Sequence, residues 1–335
     1  MGAHLPAAGV VGRVARPWRR VAVLCTALAA CQLLAVPTHS SQAAFDPLRP
    51  PPNPLQPRTL FGVGDIMHCH SPGSAEATGR LMEQLLIDTP GSIGVTFGDN
   101  SNDDGSESSY ECFDRSAWGK LMSRLFPVPG NHDYGVDKEL PYYFLYFPNA
   151  GTPRLGYHAY DVGAWRVYAL NSDLVLPELR LAQLAWLESD LSVHHKTKCL
   201  LAYFHRPPFS SGNFASPKWA LPIFRKLYKY GVDLVATGHE HFFASLPPLN
   251  PQGVVDRSYG VPILIAGTGG AVLFDRPRQL RYGNDGEFVL ARAHGVLRLT
   301  LSPGRYEWRF LPVDRTIGRP VGEGACHPNP PGFRD

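Results

Sequence analysis

Five apolar runs of this chain end in residues that can hold a cation or move a proton. Asp65 follows FGVG (61–64), Asp99 follows GVTFG (94–98), and Asn131, His132 and Asp133 follow FPVPG (126–130). His205 ends LAYF (201–204), and His239 and His241 follow LVATG (234–238). Carboxylate, carboxamide and imidazole groups are ligands for hard and borderline metals, and a set without thiolates suits zinc, manganese, iron or magnesium rather than copper(I). Two such ions sharing one carboxylate would polarise a phosphoryl oxygen and generate hydroxide near neutral pH. Taken singly each signal is weak, because Gly-Asp turns are common and a lone histidine at a strand end is more often solvated or packed. Five in this order carry weight together.

These residues meet only if the runs are strands sharing a carboxyl edge, where α/β sheets collect their ligands. The sequence alternates accordingly: TLFGVG precedes SAEATGRLMEQLLID, IGVTFG precedes RSAWGKLMSRLF, CLLAYF precedes SPKWALPIFRKLYKYG, and VDLVATG follows. That alternation predicts βα units in a mixed α/β architecture. GYHAYDVGAWRVYALNS predicts a hairpin turning at Val162-Gly163, and LAQLAWLESDL predicts a helix whose Leu181, Leu184, Leu187 and Leu191 pack into a core. The last third is strand-rich, in VPILIAG, GEFVLARA, HGVLRLTLS and GRYEWRFLPV. A second sheet stacked on the first would accommodate it in one layered domain.

The N-terminus predicts export. Arg13, Arg16, Arg19 and Arg20 precede the apolar VAVLCTALAACQLLAV and the small-residue segment PTHSSQAAF, the layout of a cleaved signal over residues 1–43. LAAC (28–31) resembles a lipoprotein cleavage box that would lipidate Cys31, the single route to a membrane expected here, so lipidated and freely secreted forms both stay open. The prolines of residues 44–58 predict an extended linker to a domain over 59–335. Losing four unopposed arginines from a chain of formal charge +3 leaves a mature protein near −1. Nucleic-acid binding normally needs a basic face, so no nucleic-acid partner is expected. Outside the signal stand Cys69, Cys112, Cys199 and Cys326. A Cys69–Cys112 bridge is expected, while Cys199 in its apolar run is either bridged or a buried free thiol.

The series GD, GDN, GNHD, H and GHEH resembles the calcineurin-like metallophosphoesterases, the group that includes the purple acid phosphatases. The resemblance covers residues 59 to about 327 and extends to CLLAYFHRPPFSSG, LIAGTGG and HGVLRLTLSPGRYEWRF, which look like an exported bacterial-type branch. It implies a four-layer αββα sandwich of two mixed sheets flanked by helices, and two metal ions, iron, manganese or zinc. Asp99 would bridge them, Asn131, His205 and His239 would complete the second ion's shell, and Asp65 and His241 would hold the first. His132 would stabilise charge or protonate the leaving oxygen, with Asp133 fixing its orientation, while a metal-bridging hydroxide attacks a small phosphate ester.

The sequence departs from that family at the first ion. The histidine that many members place two residues after the first Asp is Met67 here, and the tyrosine of purple acid phosphatases, three residues after the bridging Asp, is Asn102. His68, Asn102 or water would fill the gap. Asn102 or water is favoured, because a shift of one residue along an extended segment reverses a side chain. Without the phenolate the loaded protein should lack a strong visible band, and its first ion should bind more weakly than its second. His70 is expected to be a loop residue, and Phe242 and Phe243 core residues. Arg206 is expected either on a phosphate oxygen or in solvent. The rival readings are a phosphodiesterase or nuclease on the same scaffold and a metal-binding surface protein with decayed catalysis.

Overall fold

Strand β1 (Arg58–Val63) is apolar on both faces, and its alternation sends Leu60 to one core and Phe61 and Val63 to another. A strand buried on both sides must lie inside a sheet, and β1 pairs parallel with β2 (Ile93–Phe97) and antiparallel with a strand from the far end of the chain. The computed structural model describes residues 55–135, 138–195, 197–215 and 217–326. The expected signal over 1–43, its cleavage box at 28–31 and Cys31 lie outside them.

The first half of the chain continues with α1 (Gly73–Asp88), α2 (Glu107–Arg115), β3 (Leu125–Val128) and α3 (Pro141–Tyr146). Then follow β4 (His158–Val162), β5 (Trp165–Ala169), α4 (Pro177–His194), β6 (Cys199–Phe204), α5 (Pro217–Lys229) and β7 (Leu234–Thr237). The last third supplies β8 (Phe243–Leu249), β9 (Val261–Ala266), β10 (Phe288–Leu290), β11 (Gly295–Ser302), β12 (Arg305–Pro312) and β13 (Val321–Ala325). One mixed sheet has the order β13-β12-β11-β1-β2-β3 and the other β10-β8-β9-β7-β6-β5-β4.

Three apolar cores account for the layering. Leu60, Val95, Phe97, Leu299 and Phe310 of one sheet meet Val167, Tyr203, Leu264 and Phe243 of the other. Leu187, Leu191, Phe224 and Leu227 of α4 and α5 cover the outer face of the second sheet, while Met82, Leu86, Tyr110, Phe113 and Tyr143 of α1, α2 and α3 cover that of the first. The result is the αββα sandwich. Among the described residues no helix is long and apolar enough to cross a membrane.

Several expectations need correction. The last third does not form the second sheet alone, because β11, β12 and β13 extend the first sheet beside β1. RSAWGKLMSRLF is not one helix: α2 ends at Arg115, a 3-10 turn spans Gly119–Arg124, and Leu125 and Phe126 open β3. Leu181 is 67% exposed, so the buried stripe of α4 begins with Leu184 and is completed by Leu187 and Leu191. Cys69 and Cys112 are bridged as expected. Cys199 is no free thiol, since it bridges Cys326 and ties the end of the described chain to β6.

The two sheets are stitched at their common carboxyl end. Gly64 N donates to Ala266 O at 2.9 Å, Gly269 N to Gly64 O at 2.9 Å, and Ala271 N to Asp65 O at 3.0 Å. The loops leaving β1, β2, β3, β6 and β7 carry Asp65, Asp99, Asn131, His205 and His239, so the polar clusters gather where the sheets join.

Candidate metal centre

The backbone is strained where the donors are presented. Asp65, Asp99 and His239 have φ of 59°, 48° and 69°, a left-handed conformation that side chains rarely adopt. Such positions cost about 1–3 kcal/mol each and persist only where the surroundings impose them. Backbone bonds do so here: Asp65 N donates to Gly98 O at 3.0 Å, Ile66 N to Asp99 O at 2.8 Å, and Met67 N to Asn100 O at 3.1 Å. Glycines leave room for the side chains. A Cβ on Gly130 would sit 2.2 Å from Asp99 Oδ1, and one on Gly238 would sit 2.7 Å from Asp65 Oδ2.

The donors then converge in a way that needs a positive charge. Nδ1 of the fully buried His205 lies 2.9 Å from Phe97 O. A carbonyl only accepts, so Nδ1 carries the proton and Nε2 is the ligating nitrogen. Around that Nε2 stand Asp99 Oδ2 at 3.2 Å, Asn131 Oδ1 at 3.2 Å and His239 Nδ1 at 3.0 Å. Asp99, His205 and His239 each offer an atom within 4.8 Å of the others. Asn131 completes the four-residue set that the family resemblance implies for the second ion, Asp99 being shared with the first.

A second pair adjoins it. His241 Nδ1 donates to Val272 O at 2.7 Å, which turns Nε2 towards Asp65 Oδ1 at 3.2 Å. That buried oxygen has no well-formed hydrogen bond, whereas Asp65 Oδ2 accepts His239 N at 2.7 Å. Asn102 Oδ1 is likewise buried without a partner. His68 instead pairs its Nδ1 with Asp103 Oδ1 at 3.0 Å, so the shifted histidine has another occupation. Met67 is fully buried among apolar side chains and offers no ligand.

His132 is partly buried at the edge of the cluster. Its backbone N donates to Asp99 Oδ1 at 2.8 Å and its Nδ1 lies 2.7 Å from Asp103 O, leaving Nε2 for a ligand. The expectation that Asp133 orients His132 needs correction. Both carboxylate oxygens of Asp133 point into the fold, where they accept the backbone N–H groups of Asn100, Ser101 and Gly130 and the Tyr110 hydroxyl. Asp103 takes the orienting role through its carbonyl, and a backbone acceptor leaves no signature in a sequence. Arg206 is partly buried: it forms an ion pair with Asp173, and its Nη1 lies 3.0 Å from His239 Nε2.

These residues fit a cation pair, because oxygen and nitrogen lone pairs converge in a cradle cut by glycines, with no thiolate among them. Burial pulls His205 down, but the adjacent Asp99 carboxylate more than offsets it and pushes the imidazole up to about 10. His241 is also raised, Asp65 outweighing burial. His239 is held down to about 2 by burial and by the charges of His205 and Arg206. Without a metal, a proton on His205 Nε2 therefore occupies the gap at neutral pH, and a metal taking that nitrogen must expel it. Metal loading at pH 7 should release at least one proton per protein, and affinity should rise with pH up to about 10, by about tenfold per unit for each proton released. Calorimetry in two buffers of different ionisation enthalpy measures this. Identical heats in both would contradict the displacement.

Comparison with known proteins bears on the family and the fold. The calcineurin-like phosphoesterase family model matches residues 59–243, and the chain belongs to that family. A purple acid phosphatase from yellow lupin (Lupinus luteus) seeds superposes with a TM-score of 0.66 at 17% identity, over 81% of this chain and 54% of that one. GAP50, the anchor in the inner membrane complex of Plasmodium, gives 0.62 at 13% identity over 82% and 90% of the two chains. An acid phosphatase of Aspergillus ficuum is 34% identical over 76 residues, or 22% of this chain and 12% of that protein. The chain thus matches about half of the lupin enzyme and a small part of the fungal one.

Proposed function

We propose that this protein is an exported phosphomonoesterase of the calcineurin-like family, acting on small phosphate esters. The observation that carries the reading is the meeting of Asp99, Asn131 and His239 around the Nε2 of His205, with Asp65 and His241 alongside. Iron, manganese or zinc held by these six residues, with Asn102 as a further oxygen donor, would polarise the phosphoryl group and activate the attacking water. Asp99 has its other oxygen tied to His132 N, which sets the carboxylate's rotation. His132, anchored at Nδ1, can donate a proton from Nε2 to the departing ester oxygen. Two disulfides support export, since such bonds persist in oxidising compartments. Export by a signal within 1–43, cleaved either directly before a lipidated Cys31 or further on to leave a free protein, is part of this proposal.

Substituting His132 by alanine is the direct test. The general-acid role predicts a loss of about a hundredfold to ten-thousandfold in kcat on alkyl phosphates, the range such groups supply. Metal content should be unchanged, because no donor atom is removed. A second reading, a binding protein with decayed catalysis, draws support from Met67 being sealed in the core where many relatives have a ligand. It requires parent and His132→Ala protein to be equally inert. Comparing a mononitrophenyl with a bis(nitrophenyl) phosphate separates the monoesterase from a phosphodiesterase.

A further inference from the structure

A cavity of about 890 Å³ opens beside the donor cluster, lined among others by Phe214, Glu240, Phe274, Arg276, Arg278 and Arg292. Two of its walls are continuous with the metal centre. Phe274 stacks on His241 at 4.2 Å between ring centroids, and Phe214 stacks on Phe274 at 5.0 Å and meets the edge of His239 at 6.1 Å. The loop bearing Phe274 is pinned to the centre, because Phe274 N donates to His241 O at 2.9 Å and Val272 O accepts His241 Nδ1. The loop bearing Phe214 is pinned as well, with Phe214 N donating to the buried Glu240 at 2.9 Å.

The chemistry of the walls is of two kinds. Phe214 is 47% exposed, so a large part of the aromatic platform faces solvent rather than core. Arg292 is neutralised by Asp275, which lies 2.6 Å from Nη2 and also accepts from Nε. Arg276 and Arg278 are exposed and make no ion pair among the described residues. A planar ring gains from stacking on an aromatic face, and guanidinium groups favour carboxylate or phosphate oxygens.

We infer that this cavity is the leaving-group subsite and selects phosphate esters whose leaving group is a planar ring bearing further negative charge. Phe214 and Phe274 seat the ring, and Arg276 and Arg278 hold the anionic substituent. The inference rests on the phosphomonoesterase reading for its place in catalysis, but the pocket's affinity for the leaving group is measurable without turnover.

The test uses 5-hydroxyisophthalate, the leaving group of an aryl phosphate with two carboxylates, with phenol as the uncharged control. Calorimetry on the metal-loaded full protein should find 5-hydroxyisophthalate bound at least about tenfold more tightly than phenol, the gain expected of charge-assisted contacts. Arg276→Glu with Arg278→Glu should abolish that difference, and Phe214→Ala should weaken both ligands about fivefold. The kcat/KM ratio of 5-hydroxyisophthalate phosphate to glycerol phosphate should fall in both variants. Equal affinity for the two ligands in the parent protein, or unchanged affinities in the variants, would overturn the subsite. If no ester is hydrolysed the phosphatase reading fails, and the binding measurements still decide the inference.

Discussion

Asp99→Asn protein should fold normally and release phosphate at least about a thousandfold more slowly than the parent. The amide keeps an oxygen to accept His132 N and nearly the same shape, so the loop from β2 has no reason to move. What it loses is the charge opposite His205 Nε2. Burial opposes ionisation of Asp99, yet the His205 imidazole beside it and the nearby His132 hold the carboxyl far below the usual range. The parent carboxylate is therefore ionised throughout the neutral range and draws a cation into the cluster. A metal's stabilisation of transition-state charge is worth several kcal/mol, and each 1.36 kcal/mol is a factor of ten, which gives about three decades. Elemental analysis beside the rate measurement makes the test specific, because bound metal should fall together with turnover. Full metal content with turnover within tenfold of the parent would remove Asp99 from the centre.

The sequence makes strands and donors legible for different reasons. β1, β2, β6 and β7 are buried on both faces, so they stand out as short apolar runs, and the polar residue ending each run marks its carboxyl edge. The positive φ of Asp65, Asp99 and His239 adds to that, since each follows a glycine that permits the tight exit. α2 is hidden because Ser106, Glu107 and Ser108 make its start read as a loop, although Ser106 Oγ caps it by accepting Ser109 N. Cys199 stays undecided from sequence because a bridged and a free cysteine look alike inside an apolar run, and its partner stands 127 residues away. The rim of the site has no signal in the sequence. Phe242 and Phe243 are buried core residues as expected, Phe242 also reaching the cavity, and the exposed aromatic wall comes from Phe214 and Phe274, on loops with no periodic signal.

Asp133 is the instructive case, because adjacency in sequence to His132 suggests a partnership that the fold does not make. Its side chain is buried at the centre of a knot formed by the Asn100, Ser101 and Gly130 amides, the Asn100 carboxamide and the Tyr110 hydroxyl. Burial and the charge of Asp99 push its carboxyl up to about 6. The knot holds the loop after β2 against the loop after β3, the two segments that carry Asp99 and Asn131.

Asp133→Ala should therefore be a stability variant first. It strands several buried donors at once, and breaking a buried charged network typically costs about 3–5 kcal/mol. In a domain of this size that lowers Tm by about 10 °C. His132→Ala, one residue away, removes a ring whose described anchor is a single carbonyl and should leave Tm within about 2 °C. Thermal unfolding of the two variants side by side, with kcat measured well below either midpoint, separates holding the loops together from proton transfer. A stable Asp133→Ala protein with the kinetic defect of His132→Ala would restore the partnership that their adjacency suggests.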